Sequence, residues 1–176
     1  MIGRFLIAQG VAVTVLEKDA DQIELLRKFG FKAYFGDATR YKILRSAHLD
    51  KAKLFIVAVD DVNTSLEIVR LVRQEFPNLT IFSRARNRQH AHDLQKLGVF
   101  YFKRELFDSS LDMAKEIMLW LGKDVSEIEL KAKQFKDHDE KSLQESFQFF
   151  EDEPALVNFA KTRRAELQKI LQSDTK

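Results

Sequence analysis

Three observations predict an α/β chain built on a doubly wound parallel sheet. Four apolar runs each stop at a polar residue: Val11 to Leu16 at Glu17, Ala33 to Phe35 at Gly36-Asp37, Leu54 to Val59 at Asp60, and Leu79 to Phe82 at Ser83-Arg84. Helical stretches separate these runs over short links, and parallel neighbours need such crossovers, which are right-handed. After Phe102 the alternation ends and the rest reads as helix. Polar stops along the carboxyl edge of an open α/β sheet are where such folds hold a ligand.

The chain opens on a helix over Met1 to Ala8 with Ile2, Phe5 and Leu6 on its apolar face and Gly10 as its stop. The β-branched run Val11 to Leu16 follows, then a helix capped by Asp19 that runs through Phe29 with Ile23, Leu26 and Phe29 inward and closes at Gly30. A strand over Lys32 to Phe35, a Gly-Asp-Ala-Thr turn, a helix over Arg40 to Ala47 and a strand over Leu54 to Val59 repeat the unit. A helix over Asp61 to Phe76 ends at Pro77-Asn78, and strand Leu79 to Phe82, helix Asn87 to Leu97 and strand Val99 to Phe102 complete the layer.

The tail is predicted as a helix over Glu105 to Leu121 stopped by Gly122, a second over Ser126 to Phe147, a linker at Glu151 to Pro154, and a last amphipathic helix carrying Leu156, Phe159, Ala160, Leu167 and Ile170. This divides the chain into a nucleotide-binding domain over residues 1–121, a crossover helix over 122–150 and a terminal helix over 151–176. A helical tail outside a sheet domain must bury its apolar stripe, and a second subunit is the expected place, which predicts a homodimer; folding back on its own sheet is the alternative.

Composition narrows the function. The 29 basic and 27 acidic residues give a net charge of +2 and are spread along the chain, so no general nucleic-acid affinity is expected. Cys is absent and the four His have no metal-ligand spacing, which excludes disulfides and thiolate chemistry and predicts no metal. No run approaches the roughly 18 to 20 apolar residues of a membrane span, and no signal-peptide layout is present, so a soluble, cytoplasmic chain is expected.

Glu17, with Lys18 beside it, stands where an acid accepts the hydroxyls of a ribose and repels a 2′-phosphate, which favours NAD or a simple adenosine nucleotide over NADP. A solvated loop acid is the plain alternative. In Gly36-Asp37-Ala38-Thr39, Gly36 permits a tight turn that a flat ring can approach, while Asp37 or Thr39 can cap the next helix. Asp60-Asp61 repeats the layout, one acid free to cap and the other to face the crevice. Arg84 and Arg86 offer cationic forks to an anionic ligand or to acids of a partner. Arg104, read as starting a helix, is a cation in an unfavourable dipole position and is therefore expected to have a partner.

A dinucleotide fold needs a first strand and a Gly-x-Gly-x-x-Gly turn ahead of the helix that here begins at Met1. The sequence opens inside that unit, as a shortened or misassigned start would, and the first strand's place in the sheet is expected to be empty.

The run Ala20-Asp-Gln-Ile-Glu-Leu-Leu-Arg-Lys-Phe-Gly30 followed by Tyr34-Phe-Gly-Asp-Ala-Thr-Arg40 strongly resembles the RCK or KTN (TrkA-N type) regulatory domain of Kef-type glutathione-gated potassium efflux systems. Val57-Ala-Val-Asp-Asp61, Arg84-Ala-Arg-Asn87 and Arg104-Glu-Leu-Phe107 follow in the same order, so the likeness covers roughly residues 1–140. The resemblance implies a Rossmann-like module on the cytoplasmic face of a bacterial inner-membrane K+/H+ antiporter, joined to its transmembrane domain and dimeric. AMP or NAD(H) would lie against Glu17, Lys18, Gly36, Asp37, Ala38, Thr39, Asp60 and Arg84. Glutathione would close the transporter from a site with Arg4 and Arg104, glutathione S-conjugates would open it, and an ancillary flavodoxin-like oxidoreductase would dock in some relatives. Where well-known members carry an Asn in the crossover helix, this chain has Asp139 after His138. A carboxylate cannot donate the amide hydrogen bond, and a protonated His138 is the expected compensation.

Two other functions compete with that reading. A stand-alone regulatory subunit of a Trk-type potassium transporter fits the same motifs. An NAD-dependent oxidoreductase fits poorly, because Tyr34, Tyr41 and Tyr101 have no catalytic spacing and nothing after the nucleotide half offers a Tyr-Lys pair or a His-Asp arrangement for hydride chemistry. The expected activity is regulatory binding without catalysis.

Overall fold

The computed structural model of the chain describes residues 1–172. Two compact units divide it: Met1–Ser83 with Val99–Tyr101, and Arg84–Gly98 with Phe102 onward. The last residues of the terminal helix as read from sequence, 173–176, lie outside the described residues.

In the first unit, α1 (Ile2–Ala8) precedes β1 (Thr14–Glu17), α2 (Ala20–Lys28), β2 (Lys32–Phe35) and α3 (Tyr41–Ser46). A 3-10 turn at Leu49–Lys51 then leads to β3 (Leu54–Val57), α4 (Val62–Glu75) and β4 (Thr80–Ala85). β1 and β2 pair in parallel with Glu17 opposite Phe35, and β3 pairs in parallel with β4 from Leu54 opposite Thr80 to Val57 opposite Ser83. Asp19 starts α2 by accepting hydrogen bonds from the Asp21 and Gln22 amides, and Gly30, at φ 80°, takes the left-handed turn that ends it. α4 brings Leu66, Ile68, Val69 and Val72 into the core beside Val57 and Ile81, the spacing of a helix with one buried face.

The parallel layer comes in two pieces, a β1-β2 sheet and a β3-β4-β5 sheet with β5 at Tyr101–Arg104. No strand among the described residues joins β1 to β3, and this is the position that the sequence reading leaves empty. β1 starts three residues later than the apolar run because Gly10, at φ 76°, turns the chain and Val11 still donates to the Leu6 carbonyl. Ile23 is buried as read, but two other apolar residues of the first helices are not. Phe29 is 71% exposed and Phe5 69% exposed, because α1 buries no residue and only Ile23 of α2 is fully buried.

In the second unit, α5 (Arg88–Lys96) is followed by the end of β5, α6 (Phe107–Trp120), α7 (Val125–Ser146), a 3-10 turn at Phe147–Phe149 and α8 (Glu153–Gln172). Several boundaries differ from the sequence reading; α6 starts at Phe107 and not Glu105, and three further differences bear on the site and the tail. β4 continues through Ser83, Arg84 and Ala85, since Ser83 and Ala85 are buried and the Ser83 hydroxyl donates to the Val57 carbonyl at 3.4 Å. β5 begins two residues later than read, after the Gly98 turn at φ 69°, so Arg104 ends a strand and does not start a helix. Pro154 belongs to the first turn of α8, where its missing N–H costs nothing, and Asp152 accepts from the Ala155 amide at 3.0 Å. α8 packs back on α7: Phe149 meets Phe159 at 5.5 Å and Arg163 pairs with Glu145 and Glu166. Part of its apolar stripe is thus covered within its own unit.

Candidate functional site

In the first unit the carboxyl ends of β1, β2 and β3 present acids that their own backbone holds in place. Glu17 accepts from the Lys18 amide at 2.8 Å and the Asp19 amide at 3.0 Å, which fixes its carboxylate at the mouth of the turn. The Gly36 amide donates to the Glu17 carbonyl at 2.9 Å, tying the two strand ends together. Asp37 accepts from the Thr39 amide at 3.0 Å and the Thr39 hydroxyl at 2.8 Å, with Arg40 at 3.9 Å. The Thr39 amide bond, then the hydroxyl bond, hold the Asp37 pKa below its ordinary value.

Of the two acids after β3, Asp61 is the cap, accepting from the Thr64 amide at 2.7 Å and hydroxyl at 2.6 Å. Those bonds, the hydroxyl's first, lower its pKa. The charge of Lys18 adds to the lowering at both Asp37 and Asp61, so the ends of all three strands share one field. Asp60 is thereby left out of the capping role. Gly36 has a reason other than the one the turn suggested. A Cβ there would lie 2.5 Å from Ile43 Cγ2, so it is the packing of α3 onto the turn that demands glycine. Arg4 lies exposed on α1.

In the second unit the carboxylates are held by side-chain cations. Glu105 receives Arg86 at 3.0 Å and Arg84 at 3.4 Å. Asp139, on α7, pairs with Arg88, the first residue of α5, through one oxygen and with Arg104 through the other. Arg104 thus has an acid partner, although as the end of a strand and not at the helix start from which one was expected, and it also stacks over Phe107 at 4.1 Å from the ring centroid. Asp139 is compensated by these arginines and not by His138, whose Nε2 lies 3.9 Å from Glu166. Asp108 receives Lys136 at 2.7 Å and Lys103 at 3.3 Å. The Lys136 bond, ahead of that from Lys103, lowers the Asp108 pKa. At Lys103, burial pulls the pKa down, but the bonds to Asp108 and Glu140 outweigh it and leave a net rise.

A cavity of about 500 Å³ opens in this unit, with Arg86, Arg88 and Arg104 at a polar side and Leu106, Phe107 and Phe135 among its apolar walls. Phe107 and Phe135 stack at 6.0 Å with 10° between their planes. Four guanidinium groups gather on two carboxylates, Arg84 and Arg86 on Glu105 and Arg88 and Arg104 on Asp139. Sequence reasoning missed Arg88, Glu105, Phe107 and Phe135 as members of this cluster. Arg88 alone had a local signal, a cation at a helix start that needs an acid.

His90 and His92 anchor α5 from inside. His90 Nδ1 accepts from the Arg86 amide at 3.1 Å, and His92 Nε2 meets the Ser146 hydroxyl at 3.1 Å while its ring lies against Phe147 and Phe150. Burial, the leading cause, lowers the pKa of both.

An interrupted parallel α/β layer with acids along its carboxyl edge, followed by helices around a cationic cluster, defines a Rossmann-like ligand-binding regulatory domain. Residues 1–102 match the TrkA-N domain model and residues 109–176 the potassium efflux system KefB C-terminal domain model. The chain belongs to the RCK/KTN regulatory domains of Kef-type potassium efflux systems. It is 36% identical to the Kef C-terminal domain of Shewanella denitrificans in its AMP-bound form, with a TM-score of 0.76 over 84% of this chain and 90% of that one. The TrkA-N domain of the inner membrane protein ybaL from Escherichia coli, at 24% identity, has a TM-score of 0.59 over 65% of this chain and 84% of that one. The NAD(P)-binding domain of an exopolyphosphatase-related protein from Archaeoglobus fulgidus, at 22% identity, gives 0.58 over 66% and 89%. The last two likenesses speak for the fold alone. No helix among the described residues is long and apolar enough to cross a membrane.

Proposed function

We propose that this chain is the cytoplasmic gating module of a potassium efflux antiporter, holding a nucleotide on its sheet edge and an anionic regulator in its cationic cluster. The observation that carries the proposal is the pair of family matches in one chain, TrkA-N and then KefB C-terminal, over a strand edge whose acids are already oriented. The second match also favours a Kef antiporter over a stand-alone Trk subunit.

Glu17 and Asp37 serve as acceptors for ribose hydroxyls, with Lys18, Gly36, Ala38, Thr39, Asp60 and Arg84 as the further residues of the site. Acceptors held by backbone amides lose little order when a ligand arrives, which favours binding. AMP is the first candidate, as in the Shewanella relative, and NAD(H) the second. Glutathione, whose two carboxylates outnumber its one ammonium, suits a cluster of arginine forks, and Arg4 and Arg104 are its proposed contacts, with Asp139 at the same site. It holds the transporter closed and its S-conjugates open it, each shifting the balance only by its difference in affinity for the two states.

The module acts as a homodimer joined to the transmembrane antiporter domain of the full-length protein, on the cytoplasmic face, with an ancillary oxidoreductase as a further partner. The exposed apolar side of α6, Met113, Ile117 and the 86% exposed Trp120, is the surface a second copy would cover. Native mass spectrometry of the purified chain, followed by denaturation, tests the reading. A dimer that releases AMP or NAD(H) and takes up glutathione is the expected result; a monomer that binds none of the three contradicts it.

A further inference from the structure

The two arginines at the heart of the cationic cluster are already occupied. Each oxygen of the Asp139 carboxylate takes one guanidinium, Arg88 from α5 and Arg104 from β5, and the side chains of Asp139 and Arg104 are both only 13% exposed. An arginine fork matches one carboxylate in geometry as well as charge. Asp139 therefore fills the place that the carboxylate of an incoming ligand would take. Arg104 is further held over Phe107, and Phe107 by Phe135, so the guanidinium is fixed in plane beside the cavity whose walls those rings form.

We propose that Asp139 is a built-in competitor that sets the threshold for anionic ligands at Arg88 and Arg104. A ligand carboxylate reaches the forks only by displacing a carboxylate of the same chemistry, and a group held in the folded chain acts at a high effective concentration. The site thus discriminates by charge number. A monoanion replaces Asp139 at no net electrostatic gain, whereas a dianion with an apolar portion for the Phe107 and Phe135 wall brings a second carboxylate to Arg86 on the same cavity. Asp139 is a specificity-determining residue in this scheme. The inference rests on the anion-site part of the proposed function and does not require that the anion be glutathione.

The test is calorimetric titration of the folded chain and of Asp139→Asn with two probes, glutathione and glutarate, the second a simple dicarboxylate. Asn keeps the shape and removes the charge, so affinity for glutarate is expected to rise roughly tenfold or more, the order of one charge-assisted hydrogen bond. Circular dichroism establishes that the variant is folded. Should it unfold, a crystal structure of the unmodified chain with glutarate decides: Arg104 turned from Asp139 to the ligand supports the competitor, and a bound ligand with the Asp139 pair intact overturns it. A gain for glutarate with no glutathione binding to either form keeps the competitor and removes glutathione as the regulator. Equal or weaker binding of both probes by Asp139→Asn, or none at all, overturns the inference, the weaker case making Asp139 an orienting residue for the arginines.

Discussion

The two units hold their carboxylates in opposite ways. In the first, Glu17, Asp37 and Asp61 are fixed by amides and hydroxyls within three residues of themselves, with Arg40 at 3.9 Å from Asp37 the one cation in pairing distance among the described residues. In the second, Glu105, Asp108 and Asp139 each sit between two cationic side chains, all but Lys103 of which come from 19 or more positions away in the chain. On the proposed function, short-range hydrogen bonding suits acceptors for a neutral polar group such as a ribose, and the long-range charge lattice, which also ties strand, loop and helices together, suits an anion.

Disturbing the tightest point of each arrangement gives the largest effects. Gly36→Val puts a branched side chain where Ile43 Cγ2 already stands 2.5 Å from a Cβ, and is expected to cost about 3 kcal/mol, partly recovered by Ile43→Ala. Chemical denaturation of the single and double variants measures it. In the second unit, Arg104→Ala removes one of the two cations from a carboxylate that is 13% exposed, an expected loss of about 2 kcal/mol that Arg88→Ala, at a more exposed partner, does not reach. If the two variants lose the same stability, the charge lattice is not centred on Arg104.

Acid should separate the units. His90 and His92 have pKa values below 6.5, chiefly through burial, so the folded second unit prefers them neutral. Their contribution is complete above pH 6.5 and is lost as pH falls below it, because the unfolded chain takes up protons first. Asp37 and Asp61, lowered from 3.8 by the Thr39 and Thr64 bonds, stabilise the first unit above pH 3.8 and cease to as pH falls through their folded values. Amide protection from pH 7.5 to 5, taken relative to the intrinsic exchange rate at each pH, should therefore fall in α5 while that of β1 and β2 holds. Smaller still, Asn87→Ala removes the side chain that accepts from the His90 amide at 2.8 Å and should cost about 1 kcal/mol, seen as a lower thermal midpoint. Least of all, Trp120→Asp should leave the stability of the folded chain within about 0.5 kcal/mol while halving its mass in sedimentation.

The sequence made the parallel layer readable because each apolar run ends in a turn residue or an acid, and β2 falls where the run places it. β4 was read three residues short, since Arg84 looks like an end, and its pairing with Glu105, 21 positions away in the chain, is not visible in the sequence. The acids of the first unit were legible because their partners are local. The cationic cluster was half legible: Arg104 announced a need for a partner and Asp139 stood out as unusual, but that each answers the other across 35 residues is a property of the fold. Exposure of Phe5 and Phe29 was not legible, since an apolar residue at helical spacing looks the same whether or not a neighbour arrives to cover it.

Hydrogen-exchange mass spectrometry of the chain with AMP and, separately, with glutathione measures the contrast between the units most directly. The account predicts that AMP slows exchange at residues 17–19 and 36–40 and leaves 86–90 unchanged, while glutathione slows 86–90 and 104–107 and leaves 36–40 unchanged. Protection of the same segments by both ligands, or of neither region by either, would contradict it.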